Sequence, residues 1–422
     1  MTPGPVLRCA SCASELPDTA AATSCPGCRG LLDVAHPAPT VAGAKLAATF
    51  ARPVGGPGDS GVWRFRSVVH PSAVTPVSWP EGNTPLLARG SVARYAGVEG
   101  LVLKHEGMNP TGSFKDRGMT VAATQAARVG ASAVACASTG NTSASLAAYA
   151  ALAGLKALVF VPDGQIALGK LSQTMAYGAR TLLVRGDFDA CLALARESAD
   201  RLGVYLLNSI NPWRVEGQKT IVLELLQQLD WDPPDWIALP AGNLGNTAAF
   251  GKALEEAHAW GLIPRMPRLL LVQAEGAAPF HASYVSNFAV RHRVKAETVA
   301  TAIRIGDPAS YDRAVSVLRA TRGVVARVND TEILDAKAVI DAAGVGCEPA
   351  SAASVAGVRQ LVRRGDIRPS ERVAAILTGH VLKDPGTVQW YHQELEPRPE
   401  RSNRPIKIDA TLSAVESVLR GT

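Results

Sequence analysis

One lysine, Lys115, lies in the stretch NPTGSFKDRGM (residues 109–119), among small hydroxyl residues and glycines. A lysine that attacks a carbonyl group has to be uncharged part of the time, and burial among small neutral groups lowers its pKa. Small neighbours also leave room for a bound ring. The alternative is an exposed lysine in the sequence KDR, which is the usual position of this residue type. We take Lys115 as a candidate nucleophile.

Three further loops follow apolar runs and carry small hydroxyl, amide or glycine residues: STGNTSAS (138–145), AGNLGN (241–246) and LTGHVLKDP (377–385). The first two lead into predicted helices, the second of them beginning near Thr247. Backbone N–H groups at a helix start attract carboxylates and phosphates. Ordinary N-capping, sterically required glycines and simple turn residues are the alternatives.

The segment NSINPWRVEGQKT (208–220) adds Arg214 before a predicted helix. Its guanidinium group is suited to bidentate binding of an oxyanion. An arginine at a helix start is more commonly exposed, so this assignment stays a hypothesis.

Four cysteines near the N-terminus form two C-x-x-C pairs separated by twelve residues: Cys9, Cys12, Cys25 and Cys28. Thiolates on two tight turns supply the four tetrahedral ligands of a structural Zn²⁺, and leave no open position for catalysis. Free thiols or a redox dithiol are the alternatives. We predict a zinc ribbon over residues 1–35 as a small separate unit, followed by a linker and N-terminal arm over residues 36–80.

These loops need a scaffold, and from about Leu101 short apolar runs alternate with longer stretches of helical period. Such alternation predicts an α/β fold of parallel strands with helices on both faces. We predict two doubly wound parallel-sheet domains within residues 81–422, the smaller one inserted at about residues 125–225. Ligands bind beyond the carboxyl ends of such strands, which is where the loops lie.

The composition describes a globular protein large enough for more than one hydrophobic core, with 422 residues of which 47% are apolar. A net charge of +6 suits an anionic small substrate as well as a nucleic acid. The cysteine region lacks the interleaved aromatic and clustered basic residues of a nucleic-acid-binding protein, so we expect no nucleic-acid partner. Without a leader peptide or an uninterrupted apolar span, we expect a cytoplasmic protein that has no membrane partner.

Seven segments, in order, resemble those of threonine synthase, a fold-type II enzyme dependent on pyridoxal 5'-phosphate (PLP): NPTGSFKDRG, STGNTSAS, NPWRVEGQKT, AGNLGN, ATAIRIGDPAS, CEPASAA and TGHVLKDP. The resemblance extends from about Glu81 onward, and some members of that family carry a similar zinc ribbon. It implies conversion of O-phospho-L-homoserine and water to L-threonine and phosphate by a homodimer. Cysteate synthase and the threonine and serine dehydratases share the lysine and the phosphate loop and stay open as alternatives.

The resemblance also implies a role for each loop. Lys115 would bind PLP covalently and then serve as the base. The cofactor phosphate would be held by Gly242, Asn243, Leu244, Gly245 and Asn246. Asn141 would hydrogen-bond the ring hydroxyl, and Thr378 would face the pyridine nitrogen. The substrate carboxylate would be bound by Ser138, Thr139 and Thr142, and its phosphate by Ser209, Asn211 and Arg214.

One position departs from the family pattern. The segment TGHV has Val381 where the family usually has glycine. We expect that this side chain either crowds the loop that positions Thr378 or marks a different substrate. The neighbouring His380 is expected to be a packed loop residue.

Overall fold

The structure, a computed structural model, describes residues 4–50, 60–164 and 171–420. Within these ranges the strands are β1 (Val6–Cys9), β2 (Glu15–Pro17), β3 (Leu32–Ala35), β4 (Leu86–Ala88), β5 (Gly100–His105), β6 (Ala133–Ala137), β7 (Lys156–Pro162), β8 (Arg180–Val184), β9 (Tyr205–Leu206), β10 (Trp236–Pro240), β11 (Arg268–Ala274), β12 (Val324–Val328) and β13 (Arg372–Leu377). They form three sheets.

The α-helices in the same ranges are α1 (Gly43–Phe50), α2 (Arg66–Val69), α3 (Gly90–Ala96), α4 (Lys115–Arg128), α5 (Asn141–Leu152), α6 (Ser172–Ala176), α7 (Phe188–Leu202), α8 (Pro212–Gln228), α9 (Gly245–Ala259), α10 (Pro279–Val285), α11 (Tyr311–Ala320), α12 (Asp330–Ala342), α13 (Pro349–Arg364), α14 (Pro385–Gln389) and α15 (Leu412–Arg420). None of these described helices combines the length and the apolar character needed to cross a bilayer.

The larger sheet has the strand order β12-β11-β10-β13-β5-β4 and is parallel except at its edge, where β4 pairs antiparallel with β5. Its central strands are buried on both faces. In β10, Ile237 packs with the core on the side of α8 and α9, whereas Trp236 and Ala238 pack on the side of α12 and α13. Continuous apolar runs are typical of such doubly covered strands, which is why the sequence predicted them correctly.

The smaller sheet has the order β8-β7-β6-β9, and all its strands are parallel. It runs from β6 to β9, inside the range 125–225 that we assigned to the inserted subdomain. The predicted α/β fold with two parallel sheets is therefore confirmed. Because β9 lies beside β6, the loops that follow these two strands emerge next to each other.

The third sheet, β2-β1-β3, is antiparallel and carries the four cysteines. It does not form the separate unit that we expected, because Leu7, Leu32 and Val34 are buried in the main hydrophobic core. In addition, His36 Nε2 lies 2.6 Å from Glu216 Oε2 on α8, and Arg313 on α11 pairs with Asp33 at 2.8 Å. Local composition gave no sign of these long-range contacts.

The segment 36–80 is likewise more than a linker. Phe50 and Phe65 are fully buried with ring centroids 5.0 Å apart, and Trp63 Nε1 donates to Thr120 Oγ1 on α4 at 2.8 Å. Its Ala, Pro and Gly content suggested a loose connection, but its few large apolar residues fill the core. Residues 51–59 of this segment lie outside the described part of the chain.

A buried cluster of charges joins α4, α8 and β5. Arg117 donates to Glu106 through Nε at 2.6 Å and to Glu224 through Nη2 at 2.8 Å, and Lys104 Nζ lies 2.5 Å from Glu224 Oε1. The Arg117, Glu106, Glu224 and Lys104 side chains have no solvent exposure. Charges removed from water are stable only when paired and hydrogen-bonded, so the cluster fixes these elements relative to one another.

We predict that Glu224→Gln lowers the free energy of unfolding by about 3–5 kcal/mol, because it leaves Arg117 and Lys104 buried with one counter-charge fewer. Urea denaturation of the cofactor-free protein measures this. The control is Glu197→Gln, which breaks an exposed pair with Arg201 on α7 and should leave the midpoint unchanged. Equal midpoints for the two variants would contradict the structural importance of the cluster.

Candidate active site

The loops singled out in the sequence converge because of the strand order. β10, β13 and β5 are neighbours in the larger sheet, so the segments that follow them meet at its carboxyl edge. These segments carry the glycine loop, Thr378 and Lys115. From the smaller sheet, β6 and β9 contribute Asn141 and Arg214.

Lys115 is the first residue of α4, with its Nζ 4.3 Å from the centroid of the Phe114 ring. Among the described residues, none forms a hydrogen bond or an ion pair with this amine. Burial, reinforced by the positive charge of Arg214, lowers the pKa of Lys115 to about 7, while Glu348 acts in the opposite direction. The amine is therefore substantially neutral near physiological pH, as a nucleophile or base requires.

The glycine loop has the shape of an anion cradle. Leu244 adopts a left-handed conformation (φ 62°) immediately before α9, which begins at Gly245, two residues before Thr247 and so close to the expected start. A Cβ atom on Gly242 would lie 2.9 Å from Ile303 Cα, so only glycine fits there. The backbone N–H groups of this turn and of the first turn of α9 are the donors available for a phosphate.

A hydroxyl group that we did not select lies beside this loop. Thr247 Oγ1 is buried and has no hydrogen-bond partner among the described residues. Such an orphaned group in the first helical turn fits the phosphate of the implied cofactor. Its position directly after the G-N dipeptide was the available sequence signal.

The two asparagines of the loop have their side chains engaged elsewhere. Asn243 Nδ2 donates to Ser209 Oγ at 2.8 Å and its Oδ1 accepts from Ala309 N at 2.7 Å. Asn246 Oδ1 accepts from Gln218 Nε2 at 2.7 Å. These residues therefore shape the loop through their side chains and have their backbone to offer to an anion.

The loop after β6 presents half-buried hydroxyl groups at the start of α5. Ser138 Oγ accepts from Gly140 N at 3.3 Å, whereas the Thr139 and Thr142 hydroxyls have no partner among the described residues. Asn141 Nδ2 donates to Glu348 Oε2 at 2.9 Å. This loop is thus suited to bind a small carboxylate.

Thr378 directly follows β13 and is more buried than the hydroxyl groups at the start of α5. Its hydroxyl is 3.0 Å from Ser351 Oγ and 3.2 Å from Glu348 Oε1. Glu348 was absent from our candidate residues, although the segment CEPASAA was noted. Glu348 lies 207 positions from Asn141 and 30 from Thr378, so no local pattern gives its place in the site.

Arg214 is the main cationic group of the second loop from the smaller sheet. It is 1% exposed, donates to Leu207 O and to Gln218 Oε1 at 3.2 Å each, and leaves Nε without a partner among the described residues. No carboxylate of the described chain pairs with it, and burial lowers its pKa to about 10. A buried guanidinium without a counter-ion is suited to an anionic ligand.

Asn211, which we expected to bind the substrate phosphate, is instead a helix cap. Its Oδ1 caps α8 by accepting from Trp213 N at 3.0 Å, and its Nδ2 donates to Leu206 O at 2.9 Å. With both groups used and no exposure, it holds the loop and does not face a ligand. Ser209 is half-buried and accepts from Asn243, so it stays beside Arg214 as a candidate.

Val381 is accommodated without crowding of the kind we expected. Its side chain lies against Gly346, where a Cβ atom would come within 3.2 Å of Val381 Cγ1. The Thr378 carbonyl still accepts from Phe114 N at 3.0 Å. His380 Nδ1 accepts from Leu382 N at 3.2 Å, in keeping with a packed loop residue.

The four cysteine Sγ atoms lie within 4.8 Å of one another, and three of their separations are 3.4, 3.5 and 3.7 Å. A tetrahedral zinc site with Zn–S bonds of about 2.3 Å has sulfur atoms about 3.8 Å apart. The donor set and its spacing are therefore compatible with a four-coordinate metal ion.

Comparison with known proteins agrees with this geometry. The profile of the family described as pyridoxal-phosphate dependent enzyme matches residues 77–379. The chain is 43% identical to the threonine synthase of Methanosarcina acetivorans over 98% of both chains, and 42% identical to that of Methanocaldococcus jannaschii over 86% of this chain and 88% of the other.

Solved structures share the fold. Threonine synthase from Escherichia coli superposes with a TM-score of 0.70 at 18% identity, covering 99% of both chains. Maize serine racemase superposes with a TM-score of 0.64 at 22% identity, covering 79% of this chain and 97% of the other. The chain belongs to the pyridoxal-phosphate dependent enzyme family and, within it, to the threonine synthases.

Proposed function

We propose that this enzyme converts O-phospho-L-homoserine and water to L-threonine and phosphate, with PLP as its cofactor. The observation that carries the proposal is Arg214, a buried cation without a counter-ion in the described chain, placed where its charge acts on Lys115. A substrate with both a carboxylate and a phosphate needs two anion sites. The serine and threonine dehydratases act on substrates without a phosphate, which would leave Arg214 unpaired.

The site residues bind different parts of the cofactor and substrate. The Gly242–Asn246 turn, with Thr247, would hold the cofactor phosphate, and Lys115 would bind its aldehyde carbon. PLP, when bound, withdraws electrons from the substrate α carbon. Ser138, Thr139 and Thr142 would orient the substrate carboxylate at the start of α5, while Arg214 and Ser209 orient the phosphate.

Lys115 then acts as the proton carrier. Its neutral Nζ takes the proton from the substrate α carbon and, after releasing it, takes one proton from the β carbon while the γ phosphate leaves toward Arg214. The proton taken from the β carbon is delivered to the γ carbon and completes the methyl group. Water then adds its hydroxyl to the β carbon, and its other proton goes to the released phosphate. A proton returned to the α carbon gives threonine. Burial and the charge of Arg214 hold the pKa of Lys115 at about 7. Both its neutral and its protonated forms are therefore accessible near neutral pH, so the same amine can remove and deliver protons.

We predict that the PLP-loaded enzyme releases phosphate and L-threonine from O-phospho-L-homoserine in equal amounts. Lys115→Ala should lower the rate by about 10²–10⁴-fold or more, because it removes the base. Phosphate assay and chromatography of the amino-acid product measure this. Turnover of O-phospho-L-serine, L-serine or L-threonine instead would indicate cysteate synthase or a dehydratase and refute the proposal.

We predict that Arg214→Gln lowers kcat/KM for O-phospho-L-homoserine by about ten- to a hundredfold, the loss expected for charge-assisted hydrogen bonds. Inhibition by inorganic phosphate should weaken by a similar factor. Arg201→Gln, an exposed change on α7, is the matched control and should leave both values unchanged. An Arg214→Gln enzyme with normal kcat/KM would remove this residue from the phosphate site.

We further propose that Cys9, Cys12, Cys25 and Cys28 bind a structural Zn²⁺, since their four sulfur atoms lie within 4.8 Å of one another. Metal analysis should give about one Zn²⁺ per chain. Cys12→Ser combined with Cys28→Ser should abolish metal binding and lower the thermal midpoint, because metal binding and folding of the ribbon are coupled. Ser11→Ala, on the same exposed turn, should retain the metal. A metal-free wild-type protein would contradict the assignment.

A further inference from the structure

The Glu348 carboxyl group lies inside the candidate active site, and no step described above uses it. The residue is 4% exposed and immediately precedes α13. Its Oε2 accepts from Asn141 Nδ2 at 2.9 Å, and its Oε1 is 3.2 Å from Thr378 Oγ1. One carboxyl group therefore contacts both residues that we assign to the cofactor ring.

We propose that Glu348 is a positioning residue for the cofactor: its carboxyl group orients the Thr378 hydroxyl and so decides whether that hydroxyl donates a hydrogen bond to the ring nitrogen or accepts one from it. The inference rests on the proposed function only in the roles of Asn141 and Thr378 toward PLP. It does not depend on the identity of the substrate.

The position of a proton on Glu348 follows from its two partners. The Asn141 amide nitrogen can only donate, so Oε2 has to accept. A proton on this carboxyl group is consequently bound to Oε1 and points to Thr378 Oγ1. The neutral form of Glu348 thus donates to Thr378, and the ionised form accepts from it.

Ser351 completes the arrangement. Its Oγ accepts from Gly379 N at 3.0 Å and lies 3.0 Å from Thr378 Oγ1. When neutral Glu348 and Ser351 both donate to Thr378, the oxygen lone pairs of Thr378 are used and its own proton is left for the ring nitrogen. When Glu348 is ionised, the Thr378 hydroxyl donates its proton to Oε1. Only an oxygen lone pair is then available to the ring nitrogen, which favours the protonated form of that nitrogen.

The surroundings favour the neutral form. Burial raises the pKa of Glu348, against the hydrogen bonds from Asn141 and Thr378 and the positive charges of Lys383 and Lys115. A neutral donor at the ring nitrogen makes the cofactor a weaker electron sink, which suits elimination and replacement more than transamination.

Gly379 holds the carboxyl group in place. Its carbonyl accepts from Glu348 N at 3.0 Å, and a Cβ atom on Gly379 would lie 2.5 Å from Glu348 Cδ and Oε1. A side chain at this position would push the carboxyl group away from Thr378.

The test is nitrogen-15 NMR of the substrate-free enzyme loaded with PLP labelled at the ring nitrogen, at neutral pH. The wild type should show an unprotonated nitrogen. Glu348→Gln should give the same shift, because its amide nitrogen donates to Thr378 while its oxygen accepts from Asn141. Glu348→Ala should change the shift and weaken PLP binding by about tenfold, the effect of losing these hydrogen bonds.

Two further variants separate positioning from a general structural role. In a Thr378→Val background, Glu348→Ala should no longer change the shift, because the group that transmits the effect is gone. Glu197→Gln, on the exposed face of α7, is the control and should behave as wild type. A protonated nitrogen in the wild type, a changed shift in Glu348→Gln, or a wild-type shift in Glu348→Ala would each overturn the proposal. These NMR measurements use no substrate, so their outcome does not depend on whether the enzyme turns over O-phospho-L-homoserine.

Discussion

The arrangement of the active site depends on the pairing of Arg117 with two buried carboxylates, Glu106 and Glu224. None of these charges has access to water, so each is stable only where the others hold it. Arg117 lies two residues after Lys115 on α4, and Glu224 lies on α8, the helix that begins beside Arg214. The electrostatic demands of the cluster thereby fix the two helices whose first turns carry the reactive amine and the anion-binding guanidinium.

Outside this neutralised cluster, the site has two basic groups that are not paired with a carboxylate. Lys115 is half-buried and Arg214 is buried, and neither has a carboxylate ion-pair partner among the described residues. Each has a pKa below its ordinary value. The paired charges hold the scaffold. Of the two unpaired groups, Arg214 is suited to an anionic ligand and Lys115 to acting as a neutral amine. Glu348 is the exception, since its burial raises its pKa and favours the uncharged acid, against the hydrogen bonds from Asn141 and Thr378.

The sequence predicted the parallel sheets and the loops of the site well, because doubly buried strands are continuous apolar runs and binding loops follow their carboxyl ends. It failed where side-chain type is ambiguous or contacts are distant. Asn211 has the composition of a ligand-binding residue and of a helix cap, and only the folded structure shows that it is the cap. Glu348 contacts Asn141 across 207 positions of the chain, a pairing that no local pattern encodes.

The docking of the cysteine-bearing sheet has a consequence for truncation of this protein. This sheet contacts both halves of the catalytic body: Arg29 reaches Asp200 on α7 beside the smaller sheet, while Asp33 pairs with Arg313 on α11 beside the larger one. Deletion of this sheet and its flanking residues would expose apolar surface of the catalytic body. It would also remove His36, the hydrogen-bond partner of Glu216. In this chain the N-terminal sheet is therefore an integral layer of the catalytic body, and a truncated protein that begins after it would expose apolar surface.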